Sequence, residues 1–171
     1  MCLLILLTSR IAFIVLSINE NPNKALKFSS ILLISINEIP IRDNLTKIPK
    51  PYVCIQIRNT DYKCNYDDLI LENKDTLEKF DNIFLATDDK NACMNLKNVF
   101  KKKIHCFTNF PSENYHNLHR CNLSGDMKIK DLLSDLFLMA MSEKIISNSK
   151  GGYIQLAQSC FDNKHQIFNK I

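Results

Sequence analysis

Three times in this chain a run of a few apolar residues stops abruptly at a polar cluster. Tyr52-Val53-Cys54-Ile55-Gln56-Ile57 gives way to Arg58-Asn59-Thr60-Asp61, Ile83-Phe84-Leu85-Ala86 to Thr87-Asp88-Asp89, and Lys144-Ile145-Ile146 to Ser147-Asn148-Ser149-Lys150-Gly151-Gly152. Runs this short are strands, and the longer amphipathic stretches between them are the crossover helices that parallel strands require. The pattern predicts an α/β fold, a Rossmann-like parallel sheet with flanking helices. Apolar spacing places the helices at Tyr66 to Phe80, Asp89 to Lys101, Ile129 to Met141 and Tyr153 to Cys160, and a further strand at Ile104 to Phe107. Asp131 and Asp135 fall near the predicted start of the strongest helix, where the helix dipole favours acidic side chains. Asn109 to Asp126 is polar and reads as an ordered loop or lid.

The 171 residues fit one ordinary domain. We divide them at residue 50. Residues 51–171 form the nucleotide-domain-like unit, and residues 1–50 are an apolar or helical segment of less regular pattern. Cys2 to Ile18 is interrupted by Thr8, Ser9, Arg10 and Ser17, which is too broken for a membrane span and has its charge in the wrong place for a signal peptide. A buried strand or helix accounts for it, and so does an open reading frame that begins inside a larger protein.

A net charge of +4 is too small to bind a polyanion without regard to sequence, so nucleic acid is not an expected partner. Seven cysteines with no C-x-x-C pair imply neither a disulfide ladder nor a zinc ribbon. A reducing, cytoplasmic setting follows, with attachment of the N-terminal segment to a membrane left open. His105 beside Cys106, and His116 and His119 before Cys121, match no metal-ligand frame, so no metal is expected.

In an open parallel sheet the C-terminal strand ends face one crevice, which makes the three polar clusters the place to look for a site. An arginine, two hydroxylated turns and a Gly151-Gly152 pair whose backbone amides open a helix suit a pyrophosphate. Each feature also has a plainer use: a surface ion pair for Arg58, a helix cap for Thr87-Asp88-Asp89, another for Ser147-Asn148-Ser149.

Ile55-Gln56-Ile57-Arg58-Asn59-Thr60-Asp61-Tyr62 resembles the H-x-R-x-[TG]-D motif of the superfamily of α1,2-, α1,6- and protein-O-fucosyltransferases. Ile83 to Asp89 resembles its second motif, and Asp131 to Ala157 its third. The resemblance runs from Tyr52 to about Cys160 and implies the donor-binding C-terminal lobe of a GT-B glycosyltransferase. It implies a metal-independent, inverting transfer of a sugar, fucose from GDP-fucose, to a glycan hydroxyl, with no cofactor beyond the donor. On this resemblance Arg58 grips the β-phosphate, Asp135 reads the guanine edge, Thr87 and Asp88 shape the donor site, and Ser149, Lys150, Gly151 and Gly152 form the phosphate turn.

Gln56 stands where the family has histidine, which keeps a hydrogen bond to the donor and loses an ionisable group. The family's acidic base position is occupied by Tyr66, leaving Asp61 and Asp67 as candidate bases. Only about fifty residues precede the arginine motif, too few for an acceptor lobe of ordinary size. The chain is then a fragment or a truncated product, or carries a minimal cap, or relies on a partner chain for the second lobe. An inactive nucleotide-binding lobe and a transferase for another nucleotide sugar are the alternatives.

Overall fold

The computed structural model describes residues 2–5, 14–17, 44, 46–60, 65–100 and 103–165. Near the N-terminus β1 (Cys2–Ile5) pairs antiparallel with β2 (Ile14–Ser17), Cys2 opposite Ser17 and Ile5 opposite Ile14. These eight residues are strand, one of the two readings, strand or helix, of this stretch.

The main sheet has four parallel strands: β3 (Tyr52–Ile57), β4 (Asn82–Thr87), β5 (Lys103–His105) and β6 (Ile145–Ser147), in the order β5-β4-β3-β6. The helices are α1 (Tyr66–Glu72), α2 (Lys74–Leu77), α3 (Lys90–Val99), α4 (Gly125–Ala140) and α5 (Gly152–Asp162). The protein is an α/β fold with a Rossmann-like parallel sheet.

All six residues of β3 are buried, because a central parallel strand is covered on both faces. Alternate side chains divide between two cores. Tyr52, Cys54, Phe84 and Ala86 pack with Leu136, Phe137 and Ala140 of α4 and Ile154, Ala157 and Cys160 of α5. Val53, Ile55, Ile57, Ile83 and Leu85 pack with Leu69, Leu77, Ala92, Cys93 and Leu96 of the first three helices. Each fully buried aliphatic side chain contributes about 1.5–3 kcal/mol, and β3 and β4, which send alternate side chains to both faces, join the two cores.

The chain runs outward from β3 to β4 and β5, then returns across the sheet to lay β6 on the other side of β3. The order reverses between β3 and β6. There the connections leave toward opposite faces, and a crevice opens at the C-terminal strand ends.

The helix boundaries differ from the sequence reading in two places. The stretch from Tyr66 to Phe80 is broken at Asn73, whose Nδ2 donates to the Leu69 carbonyl at 2.9 Å and so takes a terminal acceptor of α1. The long helix starts four residues earlier than its apolar face indicates, because Ser124 caps it by accepting the Met127 N–H at 3.2 Å. Asp131 and Asp135 therefore lie well inside α4 and not at its head. Asp135 gains little from the dipole, and it is buried. Among the described residues no helix is long and apolar enough to cross a membrane.

The C-terminal end of α4 is tied to the sheet by Tyr52, whose buried hydroxyl donates to the Leu138 carbonyl at 2.8 Å. The last carbonyls of a helix have no partner of their own, so this bond satisfies one. Tyr52→Phe keeps the ring and loses the donor. It should lower stability by about 1–3 kcal/mol in denaturant unfolding, with the slope of the transition unchanged.

Candidate functional site

The crevice holds a cavity of about 260 Å³. Gln56, Ile57 and Arg58 line it from the end of β3, Ala86, Thr87 and Asp88 from β4, and Ser149, Gly151, Tyr153 and Ile154 from the turn into α5. Thr108 and Asn109 after β5, Leu118 and Leu123 of the following loop, and Lys128, Ile129, Asp131, Leu132 and Asp135 of α4 complete it. Of the residues singled out in the sequence, Gln56, Arg58, Thr87, Asp88, Asp135, Ser149 and Gly151 come together here. Lys150 is exposed, and neither it nor Gly152 lines the cavity. Asp61 lies outside the described residues. Asp67 is exposed on α1 and is not part of the wall.

The loop carrying Arg58 is clamped to the end of β4 by two carboxylates. Asp88 accepts the Asn59 backbone N–H at 2.8 Å through Oδ1 and the Thr60 hydroxyl at 2.6 Å through Oδ2. Asp89 accepts the Asn59 amide at 2.6 Å through Oδ2 and caps α3 by taking the Asn91 N–H at 2.8 Å. The capping use of this cluster and its shaping of the site are thus the same set of bonds: charge-assisted hydrogen bonds fix the backbone from which Arg58 extends. The Arg58 guanidinium then lies close to Gly151, where a side-chain Cβ would sit 3.6 Å from Nη1. Gly151 has no left-handed backbone to accommodate, and a Cβ there would meet the guanidinium at ordinary contact distance.

The turn after β6 is built on hydroxyls. Ser147 donates to Gln56 Oε1 at 2.5 Å and accepts the Ser149 N–H at 3.1 Å, while Ser149 Oγ accepts the Gly151 N–H at 3.4 Å. The expectation that the Gly151-Gly152 pair presents its amides needs correcting at Gly151, whose N–H is turned inward to Ser149. Gly151 is the N-cap of α5 and makes no side-chain cap, so the following amides of this eleven-residue helix are what the turn offers an anion. Gln56, only 6% exposed, has its amide oxygen engaged by Ser147, which leaves its N–H donors for a ligand.

Asp135 of α4 lines the same cavity. Its Oδ2 receives the Thr108 hydroxyl at 3.4 Å, and Oδ1 is buried with no hydrogen-bond partner. Burial raises the carboxyl well above the ordinary carboxylate range, the charge of Asp131 raises it further, and the Thr108 bond opposes both. Asp131 itself accepts the Asn109 backbone N–H at 2.8 Å and its side-chain amide at 2.7 Å, which pins the start of the loop after β5. Farther along that loop the Tyr115 hydroxyl donates to the Asp88 carbonyl at 2.9 Å and accepts the Lys90 N–H at 3.0 Å. The loop is therefore fastened at its start and again at Tyr115.

Thr108, Asn109 and Tyr115 are missed by the sequence reading. Thr108 and Asn109 follow β5 just as Arg58 follows β3, so the strand-end rule applied to the fourth strand finds them. Tyr115 carries no such signal. Searches of protein-family models and of curated proteins find no match to this chain.

The raised Asp135 carboxyl has a consequence for stability. The folded state keeps a proton that the unfolded chain releases above its ordinary value of about 4. The contribution is fully present below that value and is lost as pH rises toward the folded-state value. Stability of the wild type should therefore fall over that window, and Asp135→Asn should flatten the fall, as measured by urea unfolding at a series of pH values. An equal slope in both proteins would contradict it.

Proposed function

We propose that the protein is the donor-binding lobe of a fucosyltransferase-like glycosyltransferase of GT-B type. It takes a nucleoside-diphosphate sugar, GDP-fucose first among the candidates, and passes the sugar to a glycan hydroxyl with inversion and without a metal. What carries this reading is one cavity lined by groups of contrasting chemistry: Arg58 against the start of α5, and the buried carboxyl of Asp135 from α4.

Arg58 and the start of α5 suit a diphosphate. A guanidinium and the N-terminus of a helix both favour negative charge, and their juxtaposition is stabilised by an anion between them. Arg58 offers two parallel N–H donors to the oxygens that gain charge as the glycosidic bond breaks. Asp135 suits a ring edge made of N–H donors, which a carboxylate accepts with both oxygens. Apolar side chains of the same cavity, Ile57, Leu118, Leu123, Ile129, Leu132 and Ile154, suit the faces of a base and its sugar. Transfer then requires the acceptor hydroxyl to attack the anomeric carbon from the face opposite the phosphate, as the bond to the β-phosphate oxygen breaks. The hydroxyl proton passes to a base, for which Asp61 is the remaining candidate. The metal rival, Thr87-Asp88-Asp89, is weakened because all four carboxylate oxygens of Asp88 and Asp89 already accept hydrogen bonds from Asn59, Thr60 and Asn91.

A second reading, a lobe that holds nucleotide for a partner chain and performs no transfer itself, is favoured by the position of Asp67 on the exposed face of α1, away from the cavity. Calorimetric titration with GDP, GDP-fucose, GDP-mannose and UDP sugars tests the donor class, and turnover on a glycan acceptor separates the two readings. Failure of every nucleotide to bind would dismiss both.

Arg58→Ala should cost about 3 kcal/mol in transition-state stabilisation, roughly a hundredfold in rate, as for loss of one preorganised donor. Arg58→Lys should recover part, since the charge remains and the planar fork is lost. Donor hydrolysis or transfer by both variants, with folding checked by circular dichroism, measures this. A folded, fully active Arg58→Ala protein would reject the assignment. GDP affinity should also be the same with EDTA and with added Mg²⁺, because the countercharge comes from arginine.

A further inference from the structure

Asp135 is 8% exposed, and of its two oxygens one has a long bond to Thr108 at 3.4 Å and the other has no partner. A carboxylate in that position has lost water at Oδ1 with no bond in exchange, and at Oδ2 it has only the long Thr108 bond. The groups around it do not supply the missing charge. On its own helix Asp131, one turn earlier, adds negative charge, and the Lys128 ammonium, which donates to the Cys121 carbonyl at 2.7 Å, is not among the charges that shift Asp135. From β3 the buried Cys54 thiol faces it, from the end of β5 the Cys106 thiol, and from α5 the Tyr153 phenol, whose hydroxyl donates to the Leu132 carbonyl at 2.8 Å. Burial pushes the Cys54 thiol and the Tyr153 phenol upward, and the hydrogen bond with Cys93, then burial, does the same for the Cys106 thiol, so all three stand neutral. Arg58 lies beside Gly151 and is not among the charges that shift Asp135. A protonated acid satisfies this surrounding better than an anion.

A ligand edge that carries only N–H donors reverses the balance. The protonated carboxyl would set its own O–H against a donor, whereas the ionised form accepts at both oxygens, including the bare Oδ1. We propose that Asp135 stands protonated in the empty cavity and releases its proton to solvent when a ring edge bearing adjacent N–H donors, as on guanine, docks against it. The step is balanced as carboxylic acid going to carboxylate plus one proton taken up by buffer. This rests on the donor reading above and adds to it a proton linkage and a rule for base choice. A uracil or adenine edge, with donor beside acceptor, matches the neutral acid and needs no proton release.

Titration calorimetry of GDP in buffers of different protonation enthalpy, from about pH 5 to 8, counts the protons exchanged. Proton release should approach one per GDP at the acid end and fall toward zero at the alkaline end. Affinity should rise by up to about tenfold per pH unit over the lower part of the range. Asp135→Asn should abolish the release. Carboxyl ¹³C NMR of the ligand-free wild type, with aspartate labelled, should show one side chain titrating well above the others, and that signal should be missing from Asp135→Asn. GDP binding with no proton exchange at any pH would overturn the inference and leave the donor reading standing. No GDP binding would overturn both. Titration of every aspartate in the ordinary range would overturn the protonated empty state whether or not Asp135→Asn folds, and UDP or ADP binding as tightly as GDP would overturn the rule for base choice.

Discussion

Burial of β3 on both of its faces is the constraint from which the rest of the architecture follows. A strand whose six residues are all inaccessible must have helices above and below it and strands on both sides. Because β4 and β5 extend the sheet in one direction, the second edge of β3 can be filled only by a strand that returns from the far side. β6 does so after α4 has crossed the sheet. The reversal of order at β3 opens the crevice, and the polar residues that follow each strand are delivered to it. The site is thus a product of the packing.

Most polar groups in the crevice build it. Asp88 and Asp89 are consumed in holding the Arg58 loop, Asp131 in holding the loop after β5, and Ser147 and Ser149 in shaping the turn into α5. These bonds fix the backbone, and for the charged ligand proposed above fixed donors are worth more than donors that must first be gathered. Asp135 is the exception, a buried carboxyl whose Oδ1 has no partner. Buried polar groups are nearly always satisfied, so an unsatisfied one calls for an explanation, and the proposed donor supplies one.

Much of this was legible in the residues alone. Continuous apolar runs identify fully buried strands, and Tyr52–Ile57 has the expected limits because its ends are set by a proline on one side and an arginine on the other. Convergence of Arg58, Thr87 and the turn at Ser149 was legible because parallel strands share one polarity. The start of α4 was not, since its first turn is exposed and polar and only the Ser124 cap marks it. That error moved Asp135 to a helix head in the sequence reading and hid its burial. The break at Asn73 was also hidden, because an asparagine that turns its amide to a helix carbonyl leaves no mark on apolar spacing. Tyr115 was invisible for a similar reason: its two bonds join backbone atoms far from it in sequence.

The central claim is that the crevice binds a nucleoside diphosphate. Amide NMR spectra recorded while GDP is added test it most directly, because every backbone N–H reports its own surroundings. Perturbations confined to Arg58 and Asn59, to Thr108 and Asn109, to the α4 turn from Asp131 to Asp135, and to Ser149 through Tyr153 are the predicted result. Perturbations gathered at the opposite ends of the strands, near Tyr52 and Asn82, or none at saturating GDP, would contradict it.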